Sequence, residues 1–323
     1  MRTFDLSTPV IELENYLGAS GWLDPEEYLV AIEKPGEGNM NVVLRIRTNE
    51  RSFILKQSRP YVQKYQQIEA PLERIRVEKQ FYQAIQGNAL NAHIPKILGF
   101  DTAQNVLLLE DLGHCEDMSV IYHNRTINVK HLERLVFFIG LIHRKKVSDD
   151  FPQNLEMRRL NHEHIFVLPF LKDNGFSLDS IQPGLQALAE AYKGDEALKA
   201  IIKTIGEKYL SQGDTLLHGD YYPGSWMMET NNLYIIDPEF AFVGFAEFDL
   251  GVMAAHLILA TGEIDYMNKI LLHYDGPIDE KLMANVAGIE IMRRLIGLAQ
   301  LAIVRTLDEK RYLLQTAHEM IVS

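Results

Sequence analysis

Two apolar runs that each end in a carboxylate constrain this chain more than any other feature. Leu216-Leu217-His218-Gly219-Asp220 closes on Asp220, and Leu233-Tyr234-Ile235-Ile236 runs into Asp237-Pro238-Glu239. Trp226-Met227-Met228 and the turn-forming Thr230-Asn231-Asn232 lead into the second run. This spacing predicts a hairpin over 226–236. Such a hairpin brings Asp220 and Asp237 to the same end of the structure.

Two carboxylates at one rim suit metal-assisted phosphoryl transfer. One, Asp220, accepts the hydroxyl proton of the nucleophile; the other, Asp237, holds Mg²⁺ on the phosphates, with Glu239 beside it. Ser225 stands five residues after Asp220, the step that protein kinases place between the catalytic acid and a metal-binding side chain. The plainer explanation is a surface Asp before a hairpin and another at its exit. A His-Gly-Asp alone is common by chance, whereas the whole assembly is much rarer, so the catalytic reading is preferred.

The rest of the chain divides by pattern. Val42–Ile46 and Ser52–Lys56 are short β-type runs around the polar turn 47–51, which predicts a hairpin. Residues 71–86 carry helical periodicity behind Pro71, and Val106–Leu109 form another strand ending at Glu110-Asp111-Leu112-Gly113. Helical patterns then dominate at 130–146, 183–210, 246–261 and 281–306. A strand-rich first third and a helix-rich remainder predict an α+β chain of two lobes, 1–112 and 113–323, joined near 110–114.

Charge narrows the partners. The net charge is −12 and the isoelectric point is near 5.4, which excludes a general binder of nucleic-acid phosphates and leaves room for a local pocket for one small anion. Cys115 is the only cysteine, so neither a disulfide framework nor a cysteine-rich zinc site is expected. The acidic N-terminus MRTFDLSTPVIELENY is not a signal pattern, and no apolar run approaches the roughly 20 residues of a membrane span. The expectation is a cytoplasmic protein that does not engage a membrane.

The first lobe carries nucleotide-binding features. Gly36-Glu37-Gly38-Asn39-Met40-Asn41 precedes a strand, where glycines let backbone N–H groups approach phosphate oxygens; a plain β-turn is the commoner explanation. Lys56 ends the next strand, where an ammonium can pair with the α- and β-phosphates. Ile75, Glu78, Phe81, Tyr82 and Ile85 share one helix face, so Glu78 lies on an apolar stripe and needs a partner, while Glu73 points to solvent. Lys56 is the expected partner; Arg74 or Lys79 is the alternative.

Three further features are weighed. Arg293-Arg294 lies in an apolar helix and is read equally well as an anion-facing pair or as a structural pair with Glu290 at the i,i+4 step. Asp249 reads as a cap or loop brace. His162-Glu163-His164 places two imidazoles on one side of an expected strand, but zinc needs a third ligand and none is suggested nearby.

Together these residues resemble the aminoglycoside phosphotransferase/choline kinase superfamily of small-molecule kinases, over roughly residues 30–320. The likeness is greatest to its 5-methylthioribose kinase-like members. It rests on G-N-M-N at 38–41, Lys56-Gln57, Pro60-Tyr61, Pro71, Leu72, Arg74 or Arg76, Glu78, and the E-D-L of 110–112. It continues through His218-Gly219-Asp220, Gly224-Ser225, I-D-P-E-F-A-F at 236–242, Gly244, Phe248–Gly251, and Arg293-Arg294 with Ile296–Ala299. The resemblance implies a bilobal protein-kinase-like fold with an antiparallel-sheet first lobe and a mainly helical second lobe. It implies ATP bound by Gly38, Asn39, Asn41, Lys56, Glu78 and the link Glu110, Asp111 and Leu112. It also implies Mg²⁺ at Ser225, Asp237 and Glu239, Asp220 as catalytic residue, Arg293 and Arg294 facing substrate, and a homodimer.

The expected activity is transfer of the γ-phosphate to a sugar-type hydroxyl, most like 5-methylthioribose. Tyr221-Tyr222-Pro223 replaces Leu-His-Thr after His-Gly-Asp, Trp226 follows Ser225, and the chain is shorter between 250 and 290. These departures keep another small alcohol open as acceptor: an aminoglycoside, choline, homoserine or another sugar. A nucleotide-binding relative without catalysis is the third reading, and intact Lys56, Asp220 and Asp237 oppose it.

Overall fold

The computed structural model describes residues 1–323 apart from Glu37, Asn88 and Ala302. Glu37, part of the glycine turn, therefore lies outside the described residues. The chain forms two compact units, Met1–Cys115 with Tyr234–Phe240, and Glu116–Leu233 with Ala241–Ser323.

The first unit opens with helix α1 (Val10–Ala19), then β1 (Leu29–Glu33), β2 (Val42–Thr48) and β3 (Ser52–Gln57). A short hairpin follows, β4 (Tyr61–Val62) and β5 (Tyr65–Glu69), then helix α2 (Arg74–Ile85), β6 (Ile97–Asp101) and β7 (Val106–Glu110). The sheet order is β1-β2-β3-β7-β6, antiparallel throughout. Val42, Leu44 and Ile46 alternate onto one face and pack with Phe53, Leu55, Val106, Leu108 and the apolar side of α1. This is the period-2 signature of strand burial. Val106 to Leu109 of β7 are all buried, because α1 covers one face of the sheet and α2 the other. Lys56 pairs with Val43 and Leu107 in register and so faces the side opposite Leu55, toward α2.

The second unit begins with β8 (Glu116–Asp117), then α3 (Val120–Asn124), α4 (Val129–His143), α5 (Leu155–His162), α6 (Leu185–Lys193) and α7 (Glu196–Leu210). Strands β9 (Thr215–Leu217), β10 (Trp226–Glu229), β11 (Asn232–Ile235) and β12 (Phe242–Gly244) follow, with β10 and β11 neighbours as the hairpin reading requires. Helices α8 (Ala246–Thr261), α9 (Tyr266–His273), α10 (Glu280–Ile296) and α11 (Leu307–Val322) complete the chain. Helix α8 is buried along nearly its whole length, and α10 lies against it. A Cβ on Gly251 meets Val286 at 2.7 Å, and one on Gly288 meets the Ala317 carbonyl at 2.6 Å. Both glycines are therefore needed for close helix approach. Among the described residues, no helix is long and apolar enough to cross a membrane.

The helical periods at 183–210 and 281–306 are each interrupted. Asp195 caps a new helix by accepting the Leu198 N–H at 2.9 Å. Beyond Ile296, Gly297 is extended, and Thr306 and Glu309 form a capping box that starts α11. His162 and Glu163-His164 lie at the end of α5 and in a helical turn rather than on a strand. Positions two apart on a helical path point away from each other, so the two imidazoles do not share a side.

Candidate active site

In the first unit, the sequence Asp237-Pro238-Glu239 is held by residues far from it in the chain. Lys56 Nζ meets Glu78 Oε1 at 2.7 Å and also contacts Asp237 Oδ1. Lys56 and Glu78 are buried, whereas the Asp237 side chain is 41% exposed. Burial works against the Lys56 charge, but Asp237 and Glu78 outweigh it and hold the ammonium well above its ordinary range. Burial also pushes the Glu78 carboxyl up, yet its contact with that ammonium fixes the pair as ionic. Asp237 has a positive φ of 62°, a left-handed conformation that a non-glycine residue holds only with support. The support includes Lys56 and Tyr82, whose hydroxyl accepts the Asp237 N–H at 3.2 Å.

Glu239 is buried beside this cluster. Asn41 Nδ2 donates to it at 2.8 Å, and Arg74 Nε stands 3.5 Å away. Asn41 Oδ1 in turn accepts from Ser58 Oγ and Arg74 Nε. Burial pushes the Glu239 carboxyl up to about 8, with Arg74 opposing. The carboxyl groups of Glu78, Asp237 and Glu239 thus gather around two cations, Lys56 and Arg74. Hard carboxyl oxygens, with the Asp237 side chain open to solvent, are the donors that Mg²⁺ takes, so this donor set fits Mg²⁺. Among the described residues no three such side chains are preassembled as a metal cage; Mg²⁺ commonly takes only one or two carboxylates and completes its shell with substrate phosphates and water.

The glycine turn and residues 110–112 lie in the same unit. The carbonyls of Asn39 and Met40 accept N–H groups of Lys64 and Gln63 at 3.0 and 3.2 Å, which seats the turn on the β4–β5 hairpin. Gly38 has no room for a side chain, since a Cβ there meets the Asn41 carbonyl at 2.7 Å. Glu110 accepts from Lys96, Asp111 pairs with Arg45 at 2.8 Å, and the Leu112 carbonyl accepts the Cys115 thiol. The acidic side chains of Glu110 and Asp111 are thus engaged by neighbouring cations.

The second unit holds the His-Gly-Asp loop. Strand β9 pairs with β12, and Gly219 turns the chain at φ 82°. Asp249 accepts the backbone N–H groups of His218 and Gly219 at 2.7 and 2.9 Å and meets His143 Nε2 at 3.2 Å. This is the loop brace that its position suggests. Ser225 Oγ donates to the Asp220 carbonyl at 2.9 Å, closing the loop.

Of the three aromatics that replace or follow the family pattern, Tyr221 and Trp226 are fully buried, with their rings 5.4 Å apart. Tyr222 alone is partly exposed. It lies between the His256 ring, 5.1 Å away, and the Arg294 guanidinium, 5.4 Å away.

Arg293 and Arg294 both clamp Glu290, at 2.8 and 2.6 Å, so the structural pairing exists. Burial opposes the Glu290 charge, but the two arginines hold its carboxyl well below the usual range. Burial likewise opposes the Arg294 charge, which Glu290, Asp220 and Tyr222 together support. Arg294 therefore senses both Glu290 and the acid of the loop. Sequence reading missed Ser58, Tyr82, Tyr122 and His256. The shared face of Tyr82 with Glu78 was the one visible signal.

Residues 31–277 match the phosphotransferase enzyme family, more than half of the chain. The chain belongs to that family and is a phosphotransferase. The methylthioribose kinase of Exiguobacterium sibiricum is 26% identical to it, covering 84% of this chain and 81% of its own. A methylthioribose kinase of a Geobacillus species is 25% identical, covering 91% and 84%. Two solved structures share the fold. Choline kinase from Streptococcus pneumoniae is 14% identical with a TM-score of 0.55, covering 96% of this chain and 98% of its own. A spectinomycin phosphotransferase in complex with ADP and spectinomycin is 14% identical with a TM-score of 0.56, covering 97% and 99%. The antiparallel sheet of the first unit and the helices of the second are those of this kinase-like fold.

Proposed function

We propose that the chain transfers the γ-phosphate of ATP to the hydroxyl of a small sugar-type alcohol, most like 5-methylthioribose. The observation that carries the reading is the buried Lys56 held between the buried Glu78 and the partly exposed Asp237. The methylthioribose kinases among its relatives support the acceptor class. Residues 1–112 bind the nucleotide in this reading, and residues 113–323 carry the chemistry and the acceptor.

Each side chain has a role. Lys56, oriented by Glu78, binds the α- and β-phosphates. The turn of Gly38, Asn39 and Asn41 supports the phosphates, and Glu110, Asp111 and Leu112 present backbone groups to adenine. Asp237, Glu239 and Ser225 hold Mg²⁺, which when bound neutralises charge on the phosphate oxygens. Asp220 takes the proton of the attacking hydroxyl. Arg294, with Arg293, supplies positive charge near the acceptor. The reading includes a cytoplasmic homodimer, which light scattering and cell fractionation test.

A choline-type cation is the lesser reading. It calls for aromatic or acidic walls, but Tyr221 and Trp226 are buried, and the one partly exposed ring, Tyr222, already carries Arg294. ADP release with ATP, Mg²⁺ and a panel of methylthioribose, other sugars, choline, homoserine and aminoglycosides tests this. Turnover greatest with a neutral sugar supports the reading; turnover confined to choline or to aminoglycosides overturns it.

A further inference from the structure

A buried histidine that the proposed chemistry does not use joins the arginine helix to the catalytic loop. His256, on α8, is completely buried. Its Nδ1 lies 2.5 Å from the Tyr122 hydroxyl and its Nε2 lies 3.1 Å from Glu290 Oε1. Burial lowers the imidazole to about 4, against the pull of Glu290, so the ring is neutral. A neutral ring beside a carboxylate has one arrangement that satisfies both contacts. Nε2–H donates to Glu290, and Nδ1 accepts the Tyr122 O–H.

Glu290 is the shared acceptor. Its oxygens receive Nη1 of Arg293, Nε of Arg294 and Nε2 of His256. The two arginines stand on the same helix as Glu290, so they cannot by themselves fix that carboxylate against the rest of the unit. His256 and Tyr122, on α8 and α3, do so. The face of His256 also lies 5.1 Å from Tyr222, over whose ring Arg294 is placed at 5.4 Å. The contacts close a ring: His256 to Glu290, Glu290 to Arg294, Arg294 to Tyr222, and Tyr222 back to His256. Tyr222 stands two residues beyond Asp220, and its backbone N–H donates to the Asp220 carbonyl at 3.1 Å.

We propose that His256 is a positioning residue for the acceptor: donating from Nε2 to Glu290 while held by Tyr122 at Nδ1, it fixes Arg294 over Tyr222 beside Asp220. This rests on the reading of Asp220 and the arginines as the acceptor site. Truncating His256 removes one donor from a buried carboxylate and leaves Arg294 free to shift.

Two amides separate this role from simple packing. The side-chain nitrogen of His256→Gln reaches the place of Nε2 and keeps the bond to Glu290. That of His256→Asn reaches only the place of Nδ1 and loses it. Solvent exchange of the Arg294 Nε–H, read by ¹⁵N NMR on the unliganded protein and assigned by its loss in Arg294→Lys, reports positioning without any substrate. The expectation for His256→Asn is exchange faster by about tenfold and kcat/KM for the acceptor lower by about tenfold, with the KM for ATP unchanged. His256→Gln stays within about threefold of wild type on both measures. Equal exchange in wild type, His256→Asn and His256→Gln overturns the proposal, as does equal loss in both variants. Should His256→Asn not fold, His256→Leu, which has no donor for Glu290, replaces it: faster Arg294 exchange supports the proposal and unchanged exchange overturns it. A wild-type protein that phosphorylates nothing in the alcohol panel, while Arg294 exchange follows the variants as stated, sinks the acceptor reading and leaves the positioning role standing.

Discussion

Asn41 donates its side-chain amide to Glu239 at 2.8 Å, across 198 positions of sequence. The glycine turn is thereby tied to the segment that follows Asp237. Asn41 also accepts from Ser58 and Arg74, so its amide has a fixed orientation and presents its N–H to Glu239.

The burial of Glu239 sets a pH dependence. Burial raises Glu239 from an ordinary 4.5 to about 8 in the folded chain. Between those values the folded protein keeps a proton that the unfolded chain has released. Stability therefore falls as pH rises from about 4.5 to about 8 and is level in this respect beyond it. Glu239 contributes a slope of roughly 1.4 kcal/mol per pH unit at most. Glu239→Gln, which mimics the neutral acid, should flatten the slope in urea unfolding at a series of pH values. An unchanged slope in the variant means Glu239 is ionised across the range.

Lys56 and Glu78 make the second prediction. Both are buried and 2.7 Å apart, and removing one partner leaves the other charge in low dielectric. Lys56→Met should cost about 3–5 kcal/mol by urea unfolding, and Glu78→Gln should cost less, because Lys56 keeps Asp237. Lys56→Met should also raise the KM for ATP with the acceptor KM unchanged. A variant with native stability and native ATP affinity removes Lys56 from the site.

How far the sequence foretold these features depends on range. The β2–β3 hairpin, the α2 stripe with Glu78 inward, and the Asp237-Pro238-Glu239 exit were legible because each is written in neighbouring residues. Helix α1 passed unread, as did the breaks at Gly194 and Gly297, where one helical period continues across a cap that interrupts the helix. The Lys56–Glu78 pair was readable because a carboxylate on an apolar stripe demands a partner. Ser58, Tyr122 and His256 gave no such signal. Each is ordinary in its local pattern, and only tertiary folding shows that it meets Asn41 or Glu290.

Asp220 is the third test. Its loop is braced through backbone groups: Asp249 holds His218 and Gly219, and Ser225 holds the Asp220 carbonyl. These braces run through backbone groups of the loop, and Asp220→Asn keeps every one of them. Turnover should fall by about 10²–10⁴, the usual worth of general-base assistance, with ATP affinity kept. Wild-type turnover in Asp220→Asn with the acceptor that the panel identifies assigns the proton to another group.

The two arginines should not be equivalent. Arg293 grips both oxygens of Glu290 through Nη1. Arg294 reaches Glu290 through Nε and lies over Tyr222, and its charge is supported by Asp220. Removing Arg293 leaves Glu290 with Arg294 and His256, so Arg293→Ala should lower stability more than activity. Removing Arg294 strips a cation whose charge Asp220 supports and takes the guanidinium from over Tyr222. Arg294→Ala should lower kcat/KM for a neutral sugar by about tenfold or more, with the KM for ATP unchanged. Arg294→Lys should recover little, since an ammonium has no planar face to lay over Tyr222 and no Nε donor for Glu290. Steady-state kinetics on the three variants, read beside their melting temperatures, distinguish the roles. If Arg293→Ala and Arg294→Ala lose stability alone and to the same degree, the pair is structural and serves only Glu290.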